Sequence, residues 1–270
     1  MQKNKIGVGI ITCDRIDFFK KANSSLRRAL KKHSDAEYIC INDGKQSFNI
    51  SGSCIKTEGY TGVAKAKNLA LKHLIEKDCE HIFLMEDDIE IIDDNIFDAY
   101  INTSKATGLK HLNFGLHGNH NRDSKGNPTI IKTVNYGNGI SIDLYPNVLG
   151  AFSYYHRNVL DDIGLMPTYY FNALEHVDHT YKASLKGYTS PWRYFADINN
   201  SSEYIKDIIP DHKQSKIRNN PKFQENFMKS LNVFIEKNGF SVVQGYGPAE
   251  KVIPIDNCII KLKEIYGKQQ

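Results

Sequence analysis

The sequence predicts an α/β protein built on a Rossmann-like, mostly parallel sheet with helices on both faces. Three short apolar segments in the first third of the chain, residues 6–11, 38–41 and 82–85, have the pattern of fully buried strands. Segments with a helical spacing of apolar residues separate them. Strands that alternate with helices form a parallel sheet, and such a sheet gathers ligands beyond the carboxyl ends of its strands.

The strongest chemical signal is the segment from His81 to Asp88, in which an apolar strand runs directly into Glu86, Asp87 and Asp88. Three adjacent carboxylates repel one another, and water or a hard cation must relieve that repulsion. Clustered carboxylates beside phosphate oxygens are the usual way in which proteins hold Mg²⁺ or Mn²⁺. An acidic turn that caps the next helix is the alternative interpretation, and residues 93–95 would serve that purpose as well.

The remaining elements are predicted from spacing and from residues that begin or end helices. Asp14 or Asp17 is expected to cap a helix that ends near Lys32, and Asp43 follows the second strand. The other predicted elements are helices at 62–77, 95–107, 157–163, 173–186 and 222–237, strands at 111–116, 150–155 and 188–195, a hairpin at 129–134 and 139–144, a mobile loop at 199–213, and a weak strand and helix at 252–265.

Composition excludes several classes of protein. With 270 residues, 40% apolar and 24% charged, the chain has an ordinary soluble composition and can bury a large core. No apolar run reaches membrane-spanning length, and the first residues become polar too soon for a signal peptide. We therefore expect a cytoplasmic protein. Its net charge of +4 is compatible with peripheral contact at the inner face of a membrane, but too small to favour nucleic acid.

Several common motifs are missing from the sequence. The five cysteines are far apart and form no CxxC pair, which argues for reduced thiols rather than disulfides or a structural zinc site. No GxGxxG sequence follows the first strand, because Gly7 and Gly9 lie inside it, and no Walker A lysine motif occurs. A nucleotide would have to be bound by a different set of residues.

In their order, these features resemble a GT-A fold glycosyltransferase of the family 2 type over roughly residues 5–215. The first strand and Asp43 match the segments that open the site and contact the nucleotide base in that family. Gly62, Ala66 and Asn68 loosely match a Gly-x-x-x-Ala-x-Asn-like helix. FLMEDD stands in place of the metal-binding DxD sequence, and GAFSYYHRNVLDDIGLMP resembles the segment on the acceptor side.

The resemblance implies an inverting transfer of a hexosyl or N-acetylhexosaminyl group from a nucleotide-diphosphate sugar, expected to be a UDP-sugar. The acceptor hydroxyl would belong to a saccharide or glycan, as in polysaccharide biosynthesis of the bacterial surface type. Asp43 would contact the base, Asp87 the ribose, and Asp88 a Mn²⁺ or Mg²⁺ ion that bridges the diphosphate. The implied nucleotide-sugar-binding residues are Thr12, Cys13, Asp14, Arg15, Asp43, Lys67, Asn68, Glu86 and Asp87.

The resemblance also implies the domain organisation. Residues 1–215 would form the GT-A domain, with a nucleotide-sugar-binding half (1–110) and an acceptor-binding half (111–215). Residues 216–270 would form a small C-terminal helical extension.

The catalytic base is expected on the helix that begins near Ala173. The family usually shows a Glu-Asp-x-Asp run, in which the Asp after the Glu takes the proton of the acceptor, with an Arg further on. Here the run is Glu175, His176, Val177 and Asp178, with Lys182 where the Arg would fall. Glu175 is the first candidate and Asp178 the second. His176 also stays open, because an imidazole titrates near neutral pH.

Three further histidines, His117, His120 and His212, are candidates for metal ligands. Some metal-dependent members of this fold supply a late histidine from a loop that closes over the diphosphate, which implies that His212 is a second ligand, with Lys213 and Lys216 near phosphate. His117 and His120 have HxxH spacing, but their glycine and asparagine neighbours indicate a loop, and no metal is expected there.

Two other classes of function remain open. A sugar-phosphate nucleotidyltransferase also places acids at a strand end, but usually carries a glycine-rich basic loop that residues 12–17 lack. A non-catalytic nucleotide-sugar-binding module would suit the changed base position but not the intact acidic run.

Overall fold

The computed structural model describes residues 4–47, 52–170, 172–208, 219–243 and 252–267. In the described part of the chain the strands are β1 (Ile6–Thr12), β2 (Glu37–Asn42), β3 (Cys54–Lys56), β4 (His81–Glu86), β5 (Ile89–Ile91), β6 (His111–Asn113), β7 (Lys132–Gly137), β8 (Ile140–Tyr145), β9 (Phe152–His156), β10 (Phe195–Ile198) and β11 (Ile205–Asp207). The α-helices are α1 (Ile16–Leu30), α2 (Val63–Glu76), α3 (Ile96–Thr107), α4 (Arg157–Ile163), α5 (Glu175–Leu185), α6 (Phe223–Asn238) and α7 (Ile255–Gly267).

The main sheet has six strands in the order β3-β2-β1-β4-β9-β6. The first four are parallel, and β9 lies antiparallel between β4 and β6. The predicted α/β class with a mostly parallel sheet is therefore confirmed. In register, Thr12 pairs with Asn42 and Ile11 with Glu86, so β1, β2 and β4 end at the same edge.

Two apolar layers cover the faces of this sheet. Alternate strand residues such as Val8, Ile10 and Phe83 pack with α1 and α3 on one face. Their neighbours, among them Ile41 and Leu84, pack with α2 and α4 on the other. This alternation explains why the strands read as continuous apolar runs, since both faces are buried.

Gly7 and Gly9 allow α2 to approach β1 closely. A Cβ atom on Gly7 would lie 2.6 Å from the sulfur of Cys79, and one on Gly9 would lie 2.6 Å from the Cβ of Ala70. These glycines therefore serve helix packing and do not belong to a phosphate-binding turn.

Two smaller sheets flank the carboxyl edge of the main sheet's parallel strands. The predicted hairpin is confirmed as β7 and β8, to which β10 adds antiparallel. The short strands β5 and β11 form an antiparallel pair directly after the acidic run. That pair fixes the chain on the carboxyl side of Asp88.

Some predicted elements were wrong. Residues 188–194 form turns and not a strand, because Arg193 has a φ of 83° and the Ser190 hydroxyl donates to the Tyr194 carbonyl. The side chains of Asp14 and Asp17 do not cap α1, whose N-cap is Arg15. Part of the expected loop at 199–213 is regular, with a 3₁₀ turn at Ser201–Glu203 followed by β11.

Other differences concern short strands and the carboxyl-terminal part. The strands β3, β5 and β11 were not predicted, since three residues are too few to show a period. Residues 252–254 form no strand. The helix α7 contributes Cys258 and Leu262 to the same core as α1 and α3. A separate aromatic cluster that includes Tyr181, Trp192 and Phe234 joins α5 to α6.

Three histidines are buried inside the fold as neutral side chains. Burial lowers the pKa of His81 to about 4, of His111 to about 3 and of His179 to about 4. His111 is hydrogen-bonded at both ring nitrogens, by the Tyr154 carbonyl and the Thr180 hydroxyl. At His81, Nδ1 contacts the Tyr154 hydroxyl at 2.9 Å, while Nε2 is buried without a described partner.

These histidines predict an acid-sensitive fold. Their pKa values in the folded state lie below the value of about 6.5 in an unfolded chain, so the unfolded state binds more protons between about pH 6.5 and 4. Stability should therefore be complete above pH 6.5 and fall as the pH is lowered, by up to about 1.4 kcal/mol per pH unit for each histidine. In urea denaturation between pH 7 and 4.5, the free energy of unfolding of His81→Asn should fall less steeply with decreasing pH than that of wild type. Equal slopes in wild type and His81→Asn would contradict this account.

Candidate active site

The acidic run ends β4 at the edge where β1 and β2 also end. Asp87 is buried there, with Oδ2 accepting a hydrogen bond of 2.7 Å from the Thr12 hydroxyl and Oδ1 paired with the Arg15 guanidinium. Burial raises the pKa of Asp87 above its ordinary value, against the opposing pull of Arg15. The carboxylate is covered by Thr12 and Arg15, so in the described residues it holds β1 to β4 and does not face the crevice.

Asp88 has a buried carboxylate oxygen without a hydrogen-bond partner among the described residues. Its Oδ2 accepts a hydrogen bond of 3.0 Å from Arg15, while Oδ1 is buried with no hydrogen-bond partner among the described residues. Burial acts to raise the pKa of Asp88, but the charges of His117 and Arg15 outweigh it, and the pKa lies below its ordinary value. An ionised carboxylate only accepts hydrogen bonds, so Oδ1 can be satisfied by a donor or by a cation.

This orphaned oxygen fits the divalent ion that the resemblance implies. Within the described ranges, no group of three or more His, Cys, Asp or Glu side chains could hold a metal ion. Ions such as Mg²⁺ are commonly held by one or two carboxylates, with substrate phosphates and water completing the shell. His212, the other predicted ligand, lies outside the described residues.

Asp43 organises the loop that leads into α2. Its Oδ1 accepts hydrogen bonds of 2.6 Å from the hydroxyls of Thr57 and Thr61, and Oδ2 accepts one of 3.1 Å from the Gly62 amide. The carboxylate is buried. The expected contact with a nucleotide base stays a prediction, but the contacts show that Asp43 also stabilises its own loop.

Asp14 and Cys13 lie beside that loop. Asp14 has a φ of 52°, accepts a hydrogen bond of 2.8 Å from the Gln46 amide, and accepts another from the Tyr60 hydroxyl. The Cys13 sulfur lies 3.7 Å from the Asp43 carbonyl. Burial, followed by the charge of Asp43, raises the pKa of Cys13 to about 11, so its thiol stays protonated at neutral pH.

Lys67 and Asn68 face the interior from α2. The Lys67 ammonium is fully buried and lies 2.8 Å from Glu86, 3.5 Å from Glu175 and 2.9 Å from the Gly150 carbonyl. Burial acts to lower the pKa of Lys67, but the two carboxylates raise it above its ordinary value. Asn68 exchanges two hydrogen bonds with the backbone of Met166. Both side chains, expected to bind the nucleotide sugar, are engaged by their own chain.

Glu175 and His176 begin α5 next to Lys67. Glu175 is buried, and its Oε1 lies 3.1 Å from Nδ1 of His176. Burial acts to raise the pKa of Glu175, but His176 and Lys67 hold it far below its ordinary value. The other ring nitrogen of His176 has no hydrogen-bond partner in the described part of the chain. A Cβ atom on Gly150 would come within 2.7 Å of the His176 ring, so only glycine leaves room for it.

Asp178 points to the C-terminal helices and away from Lys67. It accepts a hydrogen bond of 2.9 Å from Asn238 at the end of α6 and one of 3.3 Å from the Tyr169 hydroxyl. Its other contact is a salt bridge of 3.0 Å with Lys182. With 1% of its side chain exposed, Asp178 joins α5 to α6.

His117 is a site residue that sequence reasoning missed. Nδ1 lies 2.7 Å from Oδ1 of Asp207, and the residue is close enough to Asp88 for their charges to interact. Burial acts to lower the pKa of His117, but Asp207 and Asp88 raise it to about 9. The HxxH spacing marked His117, but no pattern in the sequence showed that β11 would bring Asp207 to it.

The chain is similar in sequence to a viral protein. No model of a known protein family matches the sequence. An uncharacterized glycosyltransferase, R363 of Acanthamoeba polyphaga mimivirus, is 26% identical over 220 residues, which cover 75% of this chain and 80% of the viral protein.

Solved structures establish the fold. The crystal structure of S. aureus TarS 1-349 superposes with a TM-score of 0.55 at 15% identity, over 98% of this chain and 72% of TarS 1-349. The mannosyltransferase PcManGT from Pyrobaculum calidifontis, solved with GDP-Man and Mn²⁺, superposes with a TM-score of 0.53 at 10% identity, over 98% of this chain and 73% of its own. This chain has the GT-A fold of glycosyltransferases. TarS 1-349 has also been solved with UDP-GlcNAc, with a TM-score of 0.51 to this chain.

The resemblance to GT-A glycosyltransferases is thereby confirmed. Among the residues that the structure describes, no helix is both long enough and apolar enough to cross a membrane.

The environment of Lys67 predicts a large loss of stability on its removal. Lys67→Met should leave the buried Glu175 without this cation and next to the partly exposed Glu86, at a cost of about 3–5 kcal/mol in the free energy of unfolding. Urea denaturation measures this cost. Lys65→Met, at an exposed position of the same helix, is the matched control and should change stability little. Adding Glu175→Gln to Lys67→Met should recover part of the loss; a Lys67→Met variant as stable as the control would contradict the prediction.

Proposed function

We propose that this protein is a glycosyltransferase that moves a sugar from a nucleotide-diphosphate sugar to an acceptor hydroxyl, with metal assistance and inversion. The observation that carries the proposal is that Asp43, which follows β2, and Asp87 and Asp88, which follow β4, lie at one edge of the sheet, on either side of the end of β1. Ligands of open α/β sheets bind at this edge. The names of the viral relative and of the mannosyltransferase PcManGT support the same activity.

A UDP-sugar or GDP-sugar is the class of donor that we propose. TarS 1-349 has been solved with UDP and with UDP-GlcNAc, and PcManGT with GDP-Man and Mn²⁺. These neighbours favour a hexosyl or N-acetylhexosaminyl donor and a divalent ion. The acceptor that we propose is a saccharide or glycan hydroxyl.

The site residues would divide the chemistry between them. Asp88 would hold the ion through Oδ1, while Arg15 fixes its other oxygen. When bound, Mn²⁺ or Mg²⁺ supplies positive charge against the departing diphosphate. The acceptor O–H bond breaks as its oxygen forms a bond to the anomeric carbon, and the bond from that carbon to the diphosphate oxygen breaks with its electron pair.

The base that removes the acceptor proton is best assigned to His176. Glu175 is a weak base, because Lys67 and His176 stabilise its ionised form, and Asp178 is committed to Asn238 and Lys182. His176 has 22% of its side chain exposed and a second ring nitrogen without a described partner. Glu175 would orient the ring through Nδ1, so Nε2 would receive the proton.

Donor hydrolysis tests the proposed activity without a known acceptor. Release of UDP or GDP from UDP-GlcNAc, UDP-glucose, UDP-galactose and GDP-mannose should be measured with and without Mn²⁺. We expect slow, Mn²⁺-stimulated hydrolysis of at least one donor, and loss of the stimulation in Asp88→Ala. Asp161→Ala, at an exposed acid on α4, should behave as wild type. If calorimetry detects binding of none of these donors and no UDP or GDP is released, the proposed function is wrong.

His176→Gln tests the assignment of the base. With the hydrolysed donor, its rate should fall by about 10²–10⁴ while donor affinity stays near wild type, since a positioned base contributes about that factor. His73→Gln, which removes a histidine 3.0 Å from Glu37 at the opposite edge of the sheet, is the control. A near-normal rate in His176→Gln would exclude it as the base.

A further inference from the structure

The residues around Asp88 form a connected arrangement of three chain segments. The register of β5 and β11 places Asp207 opposite Ile89, and the Ile208 amide donates a hydrogen bond of 2.7 Å to the Asp88 carbonyl. Asp207 therefore lies directly beside Asp88. The third segment is the loop after β6, which brings His117 to the same place.

Asp207 holds this loop at two points. Its Oδ1 lies 2.7 Å from Nδ1 of His117, and its Oδ2 accepts a hydrogen bond of 2.7 Å from the Gly118 amide. With 7% of its side chain exposed, Asp207 is well placed to fix the ring. Nε2 of His117 is then the ring atom left for a ligand, and it has no hydrogen-bond partner among the residues described.

A carboxylate on one ring nitrogen is the usual support of a metal-binding histidine. Such a carboxylate fixes the tautomer and the orientation of the ring and increases its basicity toward the ion. The neighbouring Asp88 supplies the orphaned Oδ1. Nitrogen and carboxylate oxygen are ligands that suit Mn²⁺.

We propose that Oδ1 of Asp88 and Nε2 of His117 are the two protein ligands of the divalent ion, with Asp207 as the positioning residue of His117. The inference rests on the proposed function and deepens it, because it names the ligand pair at the donor site. The remaining positions of the ion are left for diphosphate oxygens and water, the pattern common for ions that carry nucleotides.

Direct binding of the diphosphate by His117, without an ion, is the competing arrangement. It would leave Oδ1 of Asp88 without a donor or cation and would place phosphate oxygens near that carboxylate, where like charges repel. An ion held by both side chains would satisfy the oxygen of Asp88 and would replace the proton on Nε2 of the charged imidazole. The orphaned oxygen therefore favours the ion.

Manganese binding provides a test that does not depend on activity. Mn²⁺ should be titrated into the full-length protein in the presence of UDP, and separately of GDP, with bound ion measured by electron paramagnetic resonance and nucleotide affinity by calorimetry. Wild type should bind Mn²⁺, and the ion should strengthen binding of one nucleotide. His117→Ala should weaken Mn²⁺ binding by about 100-fold or more, and Asp207→Asn by about 10–100-fold. Thermal melting checks that both variants are folded.

His120→Ala is the matched control, because His120 is exposed in the same loop three residues further on. It should bind Mn²⁺ as wild type does. Wild-type Mn²⁺ affinity in folded His117→Ala, or nucleotide binding that needs His117 but is unchanged by Mn²⁺, would overturn the inference and leave the proposed function standing. Mn²⁺ binding that requires His117 in a protein that binds no nucleotide would support the ligand pair and count against the proposed function. A wild-type protein that binds no Mn²⁺ in any arm would overturn the ligand pair.

Discussion

The buried ammonium of Lys67 is the interaction on which the architecture of the site depends. It contacts the last residue of β4, the carbonyl that precedes β9 and the first residue of α5. A cation in this position must have its charge compensated, since an unpaired buried charge is very costly. Lys67 therefore fixes Glu86 and Glu175 relative to each other, and with them the start of the acidic run and the start of the helix that carries the proposed base.

Arg15 compensates the other two acids of the run, as Lys67 compensates Glu86. It pairs with both Asp87 and Asp88, and Asp87 is additionally held by Thr12. Each of the three adjacent acids thus has a cation as partner, and Asp88 in addition keeps a buried oxygen, Oδ1, that has no hydrogen-bond partner among the described residues. Their repulsion is relieved by two protein cations before any ion binds. Glu86 and Asp87 therefore stabilise the fold, while Asp88 has an oxygen that could bind an ion.

The sequence was sufficient to predict the parallel strands β1, β2 and β4, because apolar runs that end in polar residues define buried parallel strands and the edge at which they end. It did not predict β3, β5 and β11, whose three-residue strands are set by pairing and show no pattern of their own. The sequence also did not predict that Asp207, His117 and Asp88 lie close together, because these residues belong to three segments that are distant along the chain. The predicted strand at 188–195 was wrong because residues 188–194 form turns. The Ser190 hydroxyl stabilises these turns by donating a hydrogen bond to the Tyr194 carbonyl and accepting one from the Ala196 amide.

The contacts that individual candidate site residues form could not be predicted from the sequence. Lys67, Asn68 and Asp43 were expected to face a ligand, but each forms several contacts with its own chain. Sequence can show that a polar residue lies near an active edge. It cannot show whether hydrogen bonds from the protein already satisfy that residue, and this decides which groups remain free for chemistry.

The histidines illustrate this distinction. His73 and His156 contact carboxylates through Nε2, the outer ring atom, so the outer end of each ring is used within the fold. The buried histidines are neutral, and His111 and His179 contact the protein through both nitrogens.

His117 and His176 have a different arrangement. Each contacts a buried or nearly buried carboxylate through Nδ1, and neither has a described partner at Nε2. A carboxylate on the inner nitrogen fixes the ring and leaves the outer nitrogen to bind an ion or to accept a proton. One such ring lies beside Asp88 and the other beside Lys67, whose other partner is Glu86 of the same acidic run. Under the proposed function, this shared arrangement would let His117 serve the ion that stabilises the leaving diphosphate and let His176 accept the proton of the acceptor hydroxyl.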